Sequence, residues 1–189
     1  MKLLCILTNG FEDIEAIGTI AILRRAGIII DVYSLHGTKA KGRYDIELSN
    51  LCDLNELNLN EYGCLFIAGG PEYIELEHNE FFINIVKDFY KKEKYIASIC
   101  AGPTILGHLG FLKNTKYTCF KSMNENFGGT YIDTYCVSDK HMITGRSAAA
   151  VIDFAFLIIK TLFGEELEIK VKNQIYYWFF FNRLSSSFK

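Results

Sequence analysis

The first thirty-five residues constrain the fold most. An apolar run, an amphipathic stretch and a second apolar run follow one another across short turns. Residues 2–8 are mostly apolar and end at Asn9-Gly10, the pattern of a buried strand entering a turn. Across residues 12–25, Ile14, Ile17, Ala21 and Ile22 recur at helical spacing, and Ala26-Gly27 supplies a C-terminal glycine stop. Residues 28–35 are β-branched and apolar again, so a second buried strand is expected there. A strand, helix and strand in this order return the second strand parallel to the first by a right-handed crossover. Parallel sheets are covered by helices on both faces.

The rest of the chain extends the pattern. Residues 64–68 form a third apolar run ending in Gly69-Gly70-Pro71. Residues 79–92 carry Phe82, Ile85, Val86 and Phe89 on one helical face, residues 95–99 make a fourth strand, and a helix over 101–109 starts directly after it. Shorter strands are predicted over 116–119, 131–136 and 141–144, a hairpin around 43–48, and helices over 147–163 and 165–172. The expected architecture is a flavodoxin-like α/β three-layer sandwich, with a mostly parallel sheet inside one domain of residues 1–176. Residues 177–189, with Trp178-Phe179-Phe180-Phe181 and Ser185-Ser186-Ser187, differ in composition and are set apart as an extension of unassigned role.

A net charge of −2 with no long run of one sign gives no basis for nucleic-acid or membrane binding. The apolar start is too short for a signal peptide and no stretch is long enough to span a bilayer, so a cytoplasmic protein is expected. In that compartment the six cysteines should be thiols. They form no CxxC pair and have no histidine at zinc-finger spacing, so neither a metal nor an organic cofactor is expected.

Ligands of open α/β sheets bind at the carboxyl ends of the strands. Three turns fall there: Asn9-Gly10, Gly69-Gly70 and Cys100-Ala101. Ser98-Ile99-Cys100-Ala101-Gly102-Pro103 has the small-x-nucleophile-x-Gly form of a nucleophile elbow, with cysteine as nucleophile. Such a turn strains the backbone and pushes the side chain outward. Helix amides facing the sulfur should favour thiolate and hold the thiol below its ordinary value of about 8.5. Glu12 and Asp13 fit a helix N-terminus. Glu15 is placed to turn toward the core and the same sheet end, where it would share one proton with Cys100 and act as general acid or base. The Gly70 and Ala101 amides would form an oxyanion hole, with Gly69 permitting close approach. None of His36, His78, His108 and His141 is positioned as a partner base, which disfavours a Cys-His hydrolase.

Five segments in order, GFEDIEA (10–16), LRRAG (23–27), FIAGGP (66–71), SICAGP (98–103) and TGRSAAA (144–150), resemble the bacterial branch of the ThiJ/PfpI family, also called the DJ-one family. The resemblance implies a homodimer, with Cys100 reactive, Glu15 its partner acid and Gly70 and Ala101 the oxyanion backbone. It places Arg146 at the frame of the site and Arg25 in support of the dimer. It implies glyoxalase or deglycase chemistry on a small carbonyl substrate under carbonyl or oxidative stress. The alternatives are a redox sensor or chaperone working through oxidation of Cys100, an amidase or peptidase, and the family's older thiamine-precursor label. Where the protease branch has histidine after the cysteine, this chain has Ala101. Where animal members carry a site histidine, it has Phe120, and the preceding Cys119 is a candidate resolving thiol beside the pocket.

Overall fold

The computed structural model describes residues 1–177. The aromatic run at Trp178 and all but the first residue of the proposed extension lie outside the described residues. The strands are β1 (Lys2–Leu7), β2 (Ile30–Ser34), β3 (Ala40–Lys41), β4 (Glu47–Leu48), β5 (Tyr62–Ile67), β6 (Tyr95–Ile99), β7 (Lys116–Tyr117), β8 (Thr130–Tyr131), β9 (Cys136–Asp139) and β10 (Met142–Gly145). The helices are α1 (Thr19–Arg25, continuing a π-helical turn over Ile14–Gly18), α2 (Tyr73–His78), α3 (Glu80–Lys91), α4 (Gly102–His108), α5 (Val151–Phe163) and α6 (Glu165–Gln174).

Six strands form the central sheet in the order β2-β1-β5-β6-β10-β9. All neighbours are parallel except β9, which runs antiparallel to β10 at the edge. Alternate side chains of each strand enter opposite cores, as the pleat requires. Leu3, Cys5 and Leu7 of β1 pack in one core with Ala16, Ile20, Leu23, Phe154 and Phe156. Leu4 and Ile6 pack in the other with Phe82, Ile85, Val86, Phe89, Ile105 and Leu106. The protein is therefore a three-layer α/β sandwich. After β2 the chain crosses back over β1 to β5, so the strand order reverses between β1 and β5, where such folds open a crevice.

The expected strand over 131–136 is divided: β8 ends at Tyr131, β9 starts at Cys136, and Thr134 N–H turns back to the Ile132 carbonyl at 2.9 Å. The helix expected from Ser147 begins as a short 3-10 turn over Ala148–Ala150 before α5. Helix α2 had no clear signal in the sequence. It is one and a half turns long, too short for apolar periodicity to stand out.

Candidate functional site

β6 and α4 meet at Cys100. The residue sits in the left-handed region at φ 61°, where a side chain other than glycine is strained by about 1–3 kcal/mol. Its backbone is clamped from two sides: Cys100 N–H donates to the Gly145 carbonyl at 2.9 Å, and Phe120 N–H donates to the Cys100 carbonyl at 2.9 Å. Pro103 lies in the first turn of α4, where its missing N–H is no loss. Thr104 seals the turn through its hydroxyl to the Ala101 carbonyl at 2.7 Å.

The π-helical turn ahead of α1 delivers Glu15 to the same place. Glu12 fastens that turn by accepting the Glu15 N–H at 2.8 Å, while Glu12 N–H donates to the Gly69 carbonyl at 2.8 Å. The Glu15 side chain is buried, and among the described residues its Oε2 has no hydrogen-bond partner. Gly69 lies between the two groups. A methyl at that position would collide with Glu15 Oε2 and lie 2.7 Å from the Cys100 Cβ. Gly70, at φ 97°, presses against the first turn: a Cβ there would meet the Glu12 nitrogen and sit 2.6 Å from the Gly10 carbonyl oxygen. Among the described residues, neither Gly70 nor Ala101 donates its N–H to a backbone carbonyl, and both line a cavity of about 400 Å³.

Glu12, Glu15, Cys100, Phe120, Met123, Ser147 and Ala148 line the same cavity, and Pro71, Tyr73 and Ile74 close it at the start of α2. Arg43 and Tyr44, from the β3–β4 hairpin, complete the rim. This hairpin is tied down by backbone bonds: Gly10 N–H to Lys41 O at 2.7 Å and Arg43 N–H to Phe11 O at 2.8 Å. Tyr44 N–H adds a bond to Asp13 Oδ2 at 2.9 Å. Asp13 thus serves the hairpin rather than the helix N-terminus.

Burial raises the Glu15 carboxyl from its ordinary value of 4.5 to about 7. The facing thiol and the Gly69 and Ala148 amides pull the other way without cancelling it, and the charge of Glu12 reinforces it. Burial also pushes the Cys100 thiol up, and the Glu15 carboxylate adds to that. The expectation of a depressed thiol fails here because one opposing N–H, that of Ala101, does not offset desolvation and a facing acid. The two groups titrate as a pair, holding two protons below about pH 7 and one above it.

The sequence-predicted residues divide into three groups. Cys100, Glu15, Gly70, Ala101 and Phe120 line the cavity, and Gly69 packs beneath it. Cys119 does not line it. It is buried in the core on the other face of the sheet with Tyr117 and Phe127, and burial holds its thiol up at about 11. Arg146 also lies off the cavity lining, paired with Asp133 at 3.1 Å. No histidine lines the cavity among the described residues; His36 pairs with Glu75, and His108 with Glu77 and Glu125. Sequence reasoning missed Arg43, Tyr44 and Ser147. Nothing local marks a hairpin residue as reaching a site built by strands far away in the chain.

A model of the DJ-1/PfpI family matches residues 1–161. The chain belongs to the DJ-1/PfpI family. Deglycase TK1284 of Thermococcus kodakarensis is 31% identical over 151 residues, covering 77% of this chain and 90% of the relative. Among solved structures, DJ-1beta of Drosophila melanogaster superposes with a TM-score of 0.85 at 26% identity, covering 93% of this chain and 98% of that one. The DJ-1 superfamily protein STM1931 of Salmonella typhimurium gives 0.82 at 28% identity, over 93% and 98% of the two chains. The family match over residues 1–161 includes every residue that lines the cavity.

Proposed function

We propose that this protein is a cysteine-dependent enzyme of reactive-carbonyl metabolism, converting small dicarbonyls to hydroxy acids or releasing them from early glycation adducts. The carrying observation is a strained Cys100 turned into a small cavity against a buried carboxyl that titrates near neutrality. The relative from T. kodakarensis is named a deglycase.

With methylglyoxal the steps balance as follows. Cys100 Sγ bonds to the aldehyde carbon while its proton passes to Glu15, and the carbonyl oxygen becomes an oxyanion held by the Gly70 and Ala101 amides. Glu15 gives its proton to that oxygen, forming a hemithioacetal. Glu15 then takes the proton from the former aldehyde carbon and returns it to the adjacent carbonyl carbon, while the hydroxyl proton on the first oxygen passes to the second. The first carbon is thereby oxidised to a thioester as the second is reduced to a carbinol. Water cleaves the thioester to lactate and restores the thiol, so the sum is dicarbonyl plus water to hydroxy acid. No external oxidant enters. The reactive form is the pair holding one proton, written as Glu15 carboxylate with thiol or as Glu15 acid with thiolate.

The test is lactate formation from methylglyoxal by purified protein, beside Cys100→Ser. Turnover absent from that variant is expected. Equal rates in both would end the reading. A redox-sensing role is the second reading, favoured by the same half-buried, strained thiol turned into the cavity. It requires stepwise peroxide oxidation at Cys100 ahead of the other five cysteines, read by mass spectrometry. Because Cys119 is buried off the cavity, its product would be a sulfenic or sulfinic acid and not a Cys100–Cys119 disulfide.

A further inference from the structure

The cavity carries a cation that the chemistry above does not use. Of the described residues lining it, Arg43 alone is basic. The other basic residues of the hairpin are matched by acids: Lys39 with Glu47 at 3.0 Å and Lys41 with Asp45 at 2.6 Å. Arg43 makes no ion pair among the described residues, and its guanidinium lies 5.5 Å from the centre of the Tyr44 ring. Its side chain is not what holds the hairpin. Backbone groups of Gly10, Phe11, Lys41 and Arg43 do that, with Asp13. An exposed guanidinium with no acid partner among the described residues, carried by a backbone-bonded hairpin at the rim of a cavity of about 400 Å³, offers a planar fork for a carboxylate or phosphate. The acids of the cavity, Glu12 and Glu15, come from the turn before α1, the segment to which the Arg43 hairpin is bonded at Phe11 and Asp13, and neither of them pairs with Arg43 among the described residues.

We propose that Arg43 determines substrate class: it binds an anionic group on the carbonyl substrate, so the preferred substrates are dicarbonyls bearing a phosphate or carboxylate. This rests on the carbonyl reading above and names the substrate of that same site.

Two measurements on the full-length protein separate the two claims. The first compares kcat/KM for hydroxypyruvaldehyde phosphate, which is methylglyoxal carrying a phosphate, with that for neutral methylglyoxal. The wild type should prefer the anion, and Arg43→Met should lower the ratio at least tenfold, with Arg43→Lys in between. The second measures alkylation of Cys100 by neutral iodoacetamide in the presence of inorganic phosphate, lactate or glycerol. The anions should slow it in the wild type, glycerol should not, and Arg43→Met should weaken the protection at least tenfold. Whichever of phosphate and lactate protects more strongly identifies the preferred anion. Protection equal in wild type and Arg43→Met, or no protection with an unaltered substrate ratio, overturns the assignment. If neither carbonyl is turned over but protection still depends on Arg43, the carbonyl reading fails and the anion site stands. Arg43→Lys keeps the charge, so its retained protection excludes a general folding defect as the cause.

Discussion

At the scale of single residues, the Glu15–Cys100 pair sets the pH behaviour. Glu15 titrates near 7 in the fold against about 4.5 in an unfolded chain. Below 4.5 both states hold the proton. Between the two values the folded state keeps a proton that the unfolded chain has released, so stability falls as pH rises through that window. The loss amounts to about 3 kcal/mol by pH 8, and buried Glu72, also shifted upward by desolvation, acts in the same direction. Glu15→Gln is therefore expected to flatten the dependence of urea-unfolding stability on pH between 5 and 8. In the wild type, alkylation of Cys100 should climb as the pair loses its first proton and level off above about pH 7. In Glu15→Gln that inflection should vanish, with a rate at pH 8 lower by about 10²-fold or more. An unchanged pH profile in the variant would show that Glu15 is not coupled to the thiol.

At the scale of elements, the site depends on turns that pack on other turns. The Gly69-Gly70 turn after β5 lies against Gly10–Glu12 after β1, and the β3–β4 hairpin is bonded to the same segment. Gly70→Ala puts a side chain on a left-handed backbone and drives it into the Glu12 nitrogen and the Gly10 carbonyl. A loss of about 2 kcal/mol or more is expected from strain and overlap together, with slower alkylation of Cys100 because Glu12 and Glu15 move with their turn. Chemical denaturation and thiol-labelling rates check both. A variant as stable as the wild type would mean that the turn has room the geometry does not show. These three segments also explain what the sequence displayed. Gly10, Gly69 and Gly70 stood out as turn residues, while their mutual contact and the hairpin's Arg43 did not, because both are set by strand order.

For the whole molecule, two expectations follow. Phe66 is fully buried beneath α5 with Phe154, ring centroids 6.0 Å apart. Phe66→Ala should cost about 3–5 kcal/mol, seen as a lower denaturation midpoint with an unchanged slope. A homodimer is expected from the family, so light scattering should give twice the chain mass of 21.6 kDa. A monomer at micromolar concentration would contradict that expectation. Among the described residues no helix is long and apolar enough to cross a membrane.

The sequence alone determined the parallel sandwich, since apolar strands and amphipathic helices in alternation have few other ways to bury their faces. It also marked Cys100, Glu15 and the Gly70 and Ala101 turns, because local backbone demands leave a local signature. Only the tertiary structure decided the surroundings of the thiol. It turned Cys119 into the far core, paired Arg146 with Asp133, set Arg43 on the cavity rim, and raised the thiol where a helix start alone would have lowered it. Those outcomes depend on burial and on partners distant in the chain, and desolvation is a property of the packed whole.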